Sequence, residues 1–281
     1  MTSASAVPPT PDQMADFYNG LGPLLRMAWG DNFHFGYWDG PSDTSSVEEA
    51  TDRFTDLLIE RLRVGPGDRV LDVGCGVGRP ALRLASATGA SVLGVTISRQ
   101  HVAQAQELAQ AAEMADRVDF EYADGMDMPF ADDSFEAVLA FESIVHMDRP
   151  VALREMTRVL KPGGRLVLTD VFALTDADAS SPPGGSAEPP GQGDPDISSW
   201  MRTIDDYPAL VAGAGLVLDE LTDVTKNIEG TFPRMIDGFL RHRRDFERKH
   251  GMTLEEVFRK GAMTQADAPG VGCLVMAAYK P

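Results

Sequence analysis

Long apolar runs are missing from this 281-residue chain. No stretch approaches the roughly 18–20 consecutive apolar residues needed to cross a bilayer, so a membrane-spanning helix is not expected. Cysteine is nearly absent: Cys75 and Cys273 lie far apart and form no CxxC spacing. That argues against a disulfide framework and against a zinc site, and it fits a reducing compartment. Positive charge is in deficit, with 25 Lys and Arg against 43 Asp and Glu, for a net charge of −18. Nucleic acids need a basic face to neutralise phosphate, and anionic membrane surfaces need the same, so neither partner is expected. Neutral or cationic small molecules remain. The first residues, MTSASAVPPTPDQ, lack a basic start followed by an apolar core. No secretory signal is expected there, and a cytoplasmic location follows as the expectation.

What is present is ordinary for a soluble globular enzyme, with 43% hydrophobic and 24% charged residues. A helix is expected over Val47 to Leu62, and strand-helix alternation begins after it. Strands are read at 69–73, 91–97, 118–123, 135–141 and 165–172, with helices at 80–88, 99–115 and 150–160 between them. This alternation predicts an open parallel sheet with right-handed crossovers. Residues 173–195, rich in Pro, Gly, Ser and acidic side chains, bury too little to order themselves. Helical patterning resumes at 204–214 and 231–262, and strands at 216–224 and 273–279 close the chain. The expected division is a helical cover over 1–62, a cofactor-binding core over 63–172, a flexible and substrate-covering part over 173–262, and a terminal core strand within 263–281.

The chemistry centres on VLDVGCGVGRPALR, residues 70–83, where Gly74, Gly76 and Gly78 follow a short strand. Glycines there let the backbone turn sharply and let a ligand approach closely. A P-loop requires Gly-Lys-Ser/Thr, which the chain lacks. A dinucleotide fingerprint spaces its glycines G-x-G-x-x-G and expects an acidic residue at the tip of the second strand, where Thr96 stands instead. Asp72 beside the loop would repel a pyrophosphate, but it suits a ligand carrying an ammonium and a sulfonium. S-adenosylmethionine carries both.

The segments DVGCGVGRP, VLGVTIS, YADGMDMPF, FESIVHM and LREMTRVLKPGGRLVLTD together resemble the motif series of class I S-adenosylmethionine-dependent methyltransferases. More narrowly, the chain resembles the bacterial natural-product branch, which includes sugar O-methyltransferases and is related to tocopherol and sterol methyltransferases. The resemblance implies an α/β fold, a Rossmann-like doubly wound sheet with an N-terminal helical cover and a helical insertion. It implies that Asp72, Gly74, Cys75 and Gly76 line the methionine end of the cofactor, Cys75 as a small residue tolerated between glycines. Thr96 and Ile97 are then near the ribose and adenine, and His101 stands where relatives often carry Gln. Asp124, Gly125 and Met126 face the adenine, while Tyr18 and His34 belong to the cover. No metal is expected. The acceptor would be a small natural product, and assembly as a homodimer or higher oligomer is compatible with the sequence.

Methyl transfer to an alcohol needs geometry and removal of a proton. His146, after the fourth strand, is read as the general base, against the alternative of a packed histidine beside Ile144 and Met147. Asp170, ending the fifth strand, is read as the residue that orients His146 or stabilises its protonated form, or else as a carboxylate capping the following turn. The expected reaction is O-methylation of a hydroxyl, including one on a glycosyl group. Methylation of carbon, or a cyclisation that retains the cofactor without methyl transfer, are the alternatives.

Overall fold

The computed structural model describes residues 10, 14–15, 22–23, 25–174, 202–251, 253 and 271–281. In chain order, helix α1 (Val47–Leu62) leads into β1 (Arg69–Val73), α2 (Arg79–Thr88), β2 (Ser91–Thr96), α3 (Arg99–Ala111), β3 (Val118–Tyr122) and β4 (Phe135–Ala140). Then follow α4 (Arg149–Val159), β5 (Leu160–Ala173), α5 (Tyr207–Gly213), β6 (Val217–Asp223), α6 (Thr231–His250) and β7 (Val271–Tyr279). The strands form one seven-stranded sheet in the order β3-β2-β1-β4-β5-β7-β6.

Strands β1 to β5 pair in parallel, as the alternation predicts. β7 does not: it inserts between β5 and β6 and runs antiparallel to both. Side-chain alternation has the same period in either direction, so a sequence pattern reports a strand without its orientation. The chain steps outward from β1 to β2 and β3, then returns across β1 to β4. That reversal opens a crevice at the carboxyl ends of β1 and β4, where ligands of open α/β sheets bind.

Both faces of the sheet are covered. On β1, Val70 packs with Phe54, Leu58, Leu84 and Phe120 on the side of α1, α2 and α3. Leu71 and Val73 point the other way, toward Leu153, Met156 and Val211 of α4 and α5. Helix α1 begins at a capping box, with Glu49 N–H donating to Ser46 Oγ and Ser46 N–H to Glu49. Lys161–Gly164 lies inside β5, where its pairing with β4 is irregular. Gly163 N–H donates to Lys280 O at 2.7 Å and Lys280 N–H to Gly164 O at 3.0 Å, pinning it to the end of β7.

A third cluster joins the N-terminal segment to α6: Trp29 and Trp38 pack with Met235, Phe239 and Phe246. Full burial of an aromatic such as Phe239 contributes about 1.5–3 kcal/mol. The approach is close, since a Cβ on Gly238 would lie 2.2 Å from Ala28 O. Among the described residues, no helix is long and apolar enough to cross a membrane. The Pro- and Gly-rich run expected to be flexible, and residues 254–262 of the expected helical stretch, lie outside the described residues.

Candidate active site

One pocket opens at the carboxyl edge of the sheet, and each of the strands β1 to β4 delivers residues to it. Gly74 and Gly76 come after β1, Thr96 and Ile97 from the end of β2, Asp124, Gly125 and Met126 after β3. Phe141, Glu142 and Ser143 follow β4, with His146 and Met147 just beyond, while Met14 and Phe33 come from the N-terminal segment.

The glycine loop is held by its backbone. Gly74 N–H and Cys75 N–H both donate to Val95 O, at 2.8 and 3.0 Å. Gly74 has φ +79°, and a Cβ there would fall 2.2 Å from Ser143 Cβ. Ser143 in turn donates through Oγ to Val73 O at 2.6 Å, tying β4 to β1 under the loop. Gly76 differs. At φ +54°, a Cβ on it would meet no atom within 4 Å, so the residue leaves open space where the pocket begins.

Asp72 lies beneath this loop, 1% exposed, and its Oδ2 has no hydrogen-bond partner among the described residues. Burial pushes its carboxyl up to about 7. A buried polar atom without a partner is costly. A cationic ligand seated on the loop would relieve that cost. The orphaned carboxylate and the open cradle at Gly76 fit S-adenosylmethionine, and Asp124 continues the wall. Asp124 Oδ1 accepts from Met126 N–H at 2.9 Å, which closes a tight turn.

His101 reaches the pocket from the first turn of α3, where its N–H donates to Ser98 Oγ at 3.1 Å. Burial, and the charge of Arg26, hold its imidazole below the ordinary range. Four expected residues do not line the pocket or are not described; one is Asp72, buried beneath the glycine loop. Tyr18 lies outside the described residues. Cys75 is buried in the core beside α2, and burial drives its thiol well above the ordinary value. His34, expected over the cofactor, sits behind the wall instead. It stacks on Phe141 with centroids 4.0 Å apart, and its Nδ1 and Nε2 face Phe35 O at 2.8 Å and Thr55 Oγ1 at 3.3 Å. Phe141 lines the pocket and His34 does not.

His146 ends a short 3-10 turn, Ile144–His146, and lines the pocket. Burial, then the nearby Arg149 guanidinium, lower it to about 4, so the ring is neutral at physiological pH. The expected orienting role of Asp170 is not observed. Asp170 accepts from Arg149, Tyr207 and its neighbour Val171 N–H, and from no atom of His146. Arg149, at the start of α4, claims the carboxylate because a buried guanidinium needs a paired anion. Sequence reasoning also missed Glu142. Its position two residues past the end of β4, matching the edge positions of Thr96 and Asp124, was the available signal.

A pocket at the switch point, a glycine loop over an unpartnered buried carboxylate, and a sheet closed by an antiparallel β7 define a class I, Rossmann-like S-adenosylmethionine-dependent methyltransferase. The methyltransferase domain family matches the chain over residues 71–168. The chain belongs to this family: it is 43% identical over 228 residues to methyltransferase GfsG of Streptomyces halstedii, covering 81% of each chain. It is 36% identical over 274 residues to the 27-O-demethylrifamycin SV methyltransferase of Amycolatopsis mediterranei, covering 97% of this chain and 98% of that one. Among solved structures, the [4+2]-cyclase SpnF superposes with a TM-score of 0.82 at 29% identity, over 99% of both chains. The chain is thus an S-adenosylmethionine-dependent methyltransferase of secondary metabolism that acts on a small molecule.

Proposed function

We propose that the enzyme methylates a hydroxyl of a small natural-product acceptor, a glycosyl hydroxyl included, with His146 as the general base. The observation that carries this reading is that a neutral imidazole shares one pocket with the glycine loop, Thr96 and Asp124. When bound, S-adenosylmethionine supplies an electrophilic methyl group on a sulfonium. Asp72 and the 74–76 backbone would hold its amino-acid end, and Thr96, Ile97, His101, Asp124, Gly125 and Met126 its nucleoside. Met14, Phe33, Phe141 and Met147 give the rest of the pocket an apolar wall that excludes water. His146 then takes the hydroxyl proton as the oxygen becomes nucleophilic, a contribution of roughly 10²–10⁴ in rate. The name of the Amycolatopsis relative, a 27-O-demethylrifamycin SV methyltransferase, supports oxygen as the acceptor atom.

The test is turnover of hydroxylated natural products, glycosylated and not, with S-adenosylhomocysteine measured beside product mass. One equivalent of S-adenosylhomocysteine for each product heavier by one methyl group is the expected result. The likeness to SpnF over 99% of both chains favours a second reading, cyclisation with the cofactor retained. An isomerised product without S-adenosylhomocysteine would establish it.

A further inference from the structure

Glu142 stands out among the pocket residues. It is a non-glycine residue at φ +50°, in the left-handed region that L side chains seldom adopt. Backbone strain of this kind persists only where surrounding contacts hold it, and such sites cluster at functional positions. Here Glu142 N–H donates to Thr169 Oγ1 at 2.9 Å, and its Oε1 accepts from Phe35 N–H at 2.8 Å. Glu142 lines the same pocket as His146. The second oxygen, Oε2, has no hydrogen-bond partner among the described residues, and the residue is partly exposed.

We propose that Glu142 is the second polar anchor for the acceptor, with Oε2 hydrogen-bonding an oxygen of the acceptor near the hydroxyl that is methylated. The inference rests on the methyl-transfer reading for the role of His146, but not for the geometry of Glu142. Desolvation lifts the Glu142 carboxyl to about 8, against the opposing pull of Phe35 N–H. Among the described residues no cation pairs with it. Its polar surroundings are Thr169 on β5, the Phe35 amide beside His34, and Cys273 on β7, whose thiol it pushes further up. At neutral pH it is therefore a carboxylic acid and donates its proton to a lone pair. The acceptor class follows: a hydroxyl flanked by a carbonyl, ether or second hydroxyl oxygen, rather than an isolated alcohol or an amine. Glu142 and His146 stand four residues apart and line one pocket, so one acceptor can meet both.

The test uses the full chain saturated with S-adenosylhomocysteine and labelled with ¹³C at the glutamate carboxyls. The resonance missing from Glu142→Gln should titrate near pH 8. It should shift on adding a hydroxycyclohexanone as probe and not on adding cyclohexanol. Titration in the ordinary carboxylate range, or the same response to both probes, including none, overturns the proposal. With any acceptor that turns over, Glu142→Ala should raise KM about tenfold or more while changing kcat less, and Glu142→Gln, which keeps a donor, should restore KM. A carboxyl that behaves as expected in a chain that releases no S-adenosylhomocysteine would keep the anchor and sink methyl transfer.

Discussion

Arg149 grips Asp170 at two points inside the protein, Nε to Oδ2 at 2.5 Å and Nη2 to Oδ1 at 2.9 Å, with both side chains at most 2% exposed. Tyr207 adds its hydroxyl to Oδ2 at 2.5 Å, so the pair fastens α4, β5 and α5 together. Asp170→Ala strands a buried guanidinium and should cost about 3–5 kcal/mol of stability in urea unfolding. Tyr207→Phe should cost about 1.5–3 kcal/mol, the worth of one hydrogen bond to a charged group. Arg149→Met combined with Asp170→Leu should recover much of the loss, because neither charge is then left alone. An unchanged midpoint for Asp170→Ala would show that the pair contributes nothing.

The glycine loop offers a paired test. A methyl on Gly74 meets Ser143 Cβ at 2.2 Å, so Gly74→Ala should lose about 1–3 kcal/mol to overpacking, beyond the cost of its positive φ. Gly76→Ala meets no atom within 4 Å and should cost only the left-handed backbone, about 1–2 kcal/mol. Its methyl projects toward the cofactor space, however, so S-adenosylhomocysteine affinity should fall about tenfold or more by calorimetry. Equal melting temperatures for the two variants would contradict this assignment.

Stability should depend on pH through four desolvated groups. His34 and His146 sit at about 4, below the ordinary 6.5, so each adds stability that is present above 6.5 and lost as pH falls through 4. Asp72 and Glu142 sit at about 7 and 8, above their ordinary 3.8 and 4.5. Each binds a proton in the folded state that the unfolded state has released, so its stabilising effect is lost as pH rises through the folded value. The two pairs oppose each other between about pH 4.5 and 6.5, and only the carboxyls act between 6.5 and 8. Unliganded protein should therefore melt at lower temperature at pH 8 than at 6.5. In Asp72→Asn/Glu142→Gln that decline should shrink, and a rise from pH 4 to 6.5 should emerge. A double variant with the wild-type profile would remove these groups from the account.

His146→Ala should lower turnover by roughly 10²–10⁴ while S-adenosylhomocysteine affinity stays nearly constant. Because burial holds His146 at about 4, the acidic limb of kcat/KM should lie near pH 4 rather than near 6.5. Turnover within about tenfold of wild type, with the limb intact, would leave proximity as the main source of rate.

The parallel core was legible because its signals are local. The apolar run at 69–73 and the glycines after it each act over a few residues. Thr96, Ile97, His101, Asp124, Gly125, Met126 and His146 line one pocket for the same reason, since each sits where a strand or turn of recognisable pattern ends. Glu142 lies inside one of those motifs, FESIVHM, and its place two residues past β4 was its one local signal. A carboxylate after a strand looks the same whether it faces solvent or a pocket.

Sequence alone determined the alternating α/β plan, the glycine loop and the choice of a cationic cofactor, since period, turn chemistry and charge sign are written into short stretches. Tertiary structure alone decided the antiparallel course of β7, the removal of His34 behind Phe141, and the capture of Asp170 by Arg149 and Tyr207. Those outcomes depend on which distant groups meet in a dry interior. There a guanidinium takes the nearest carboxylate and an imidazole loses its charge, and no spacing along the chain records the meeting.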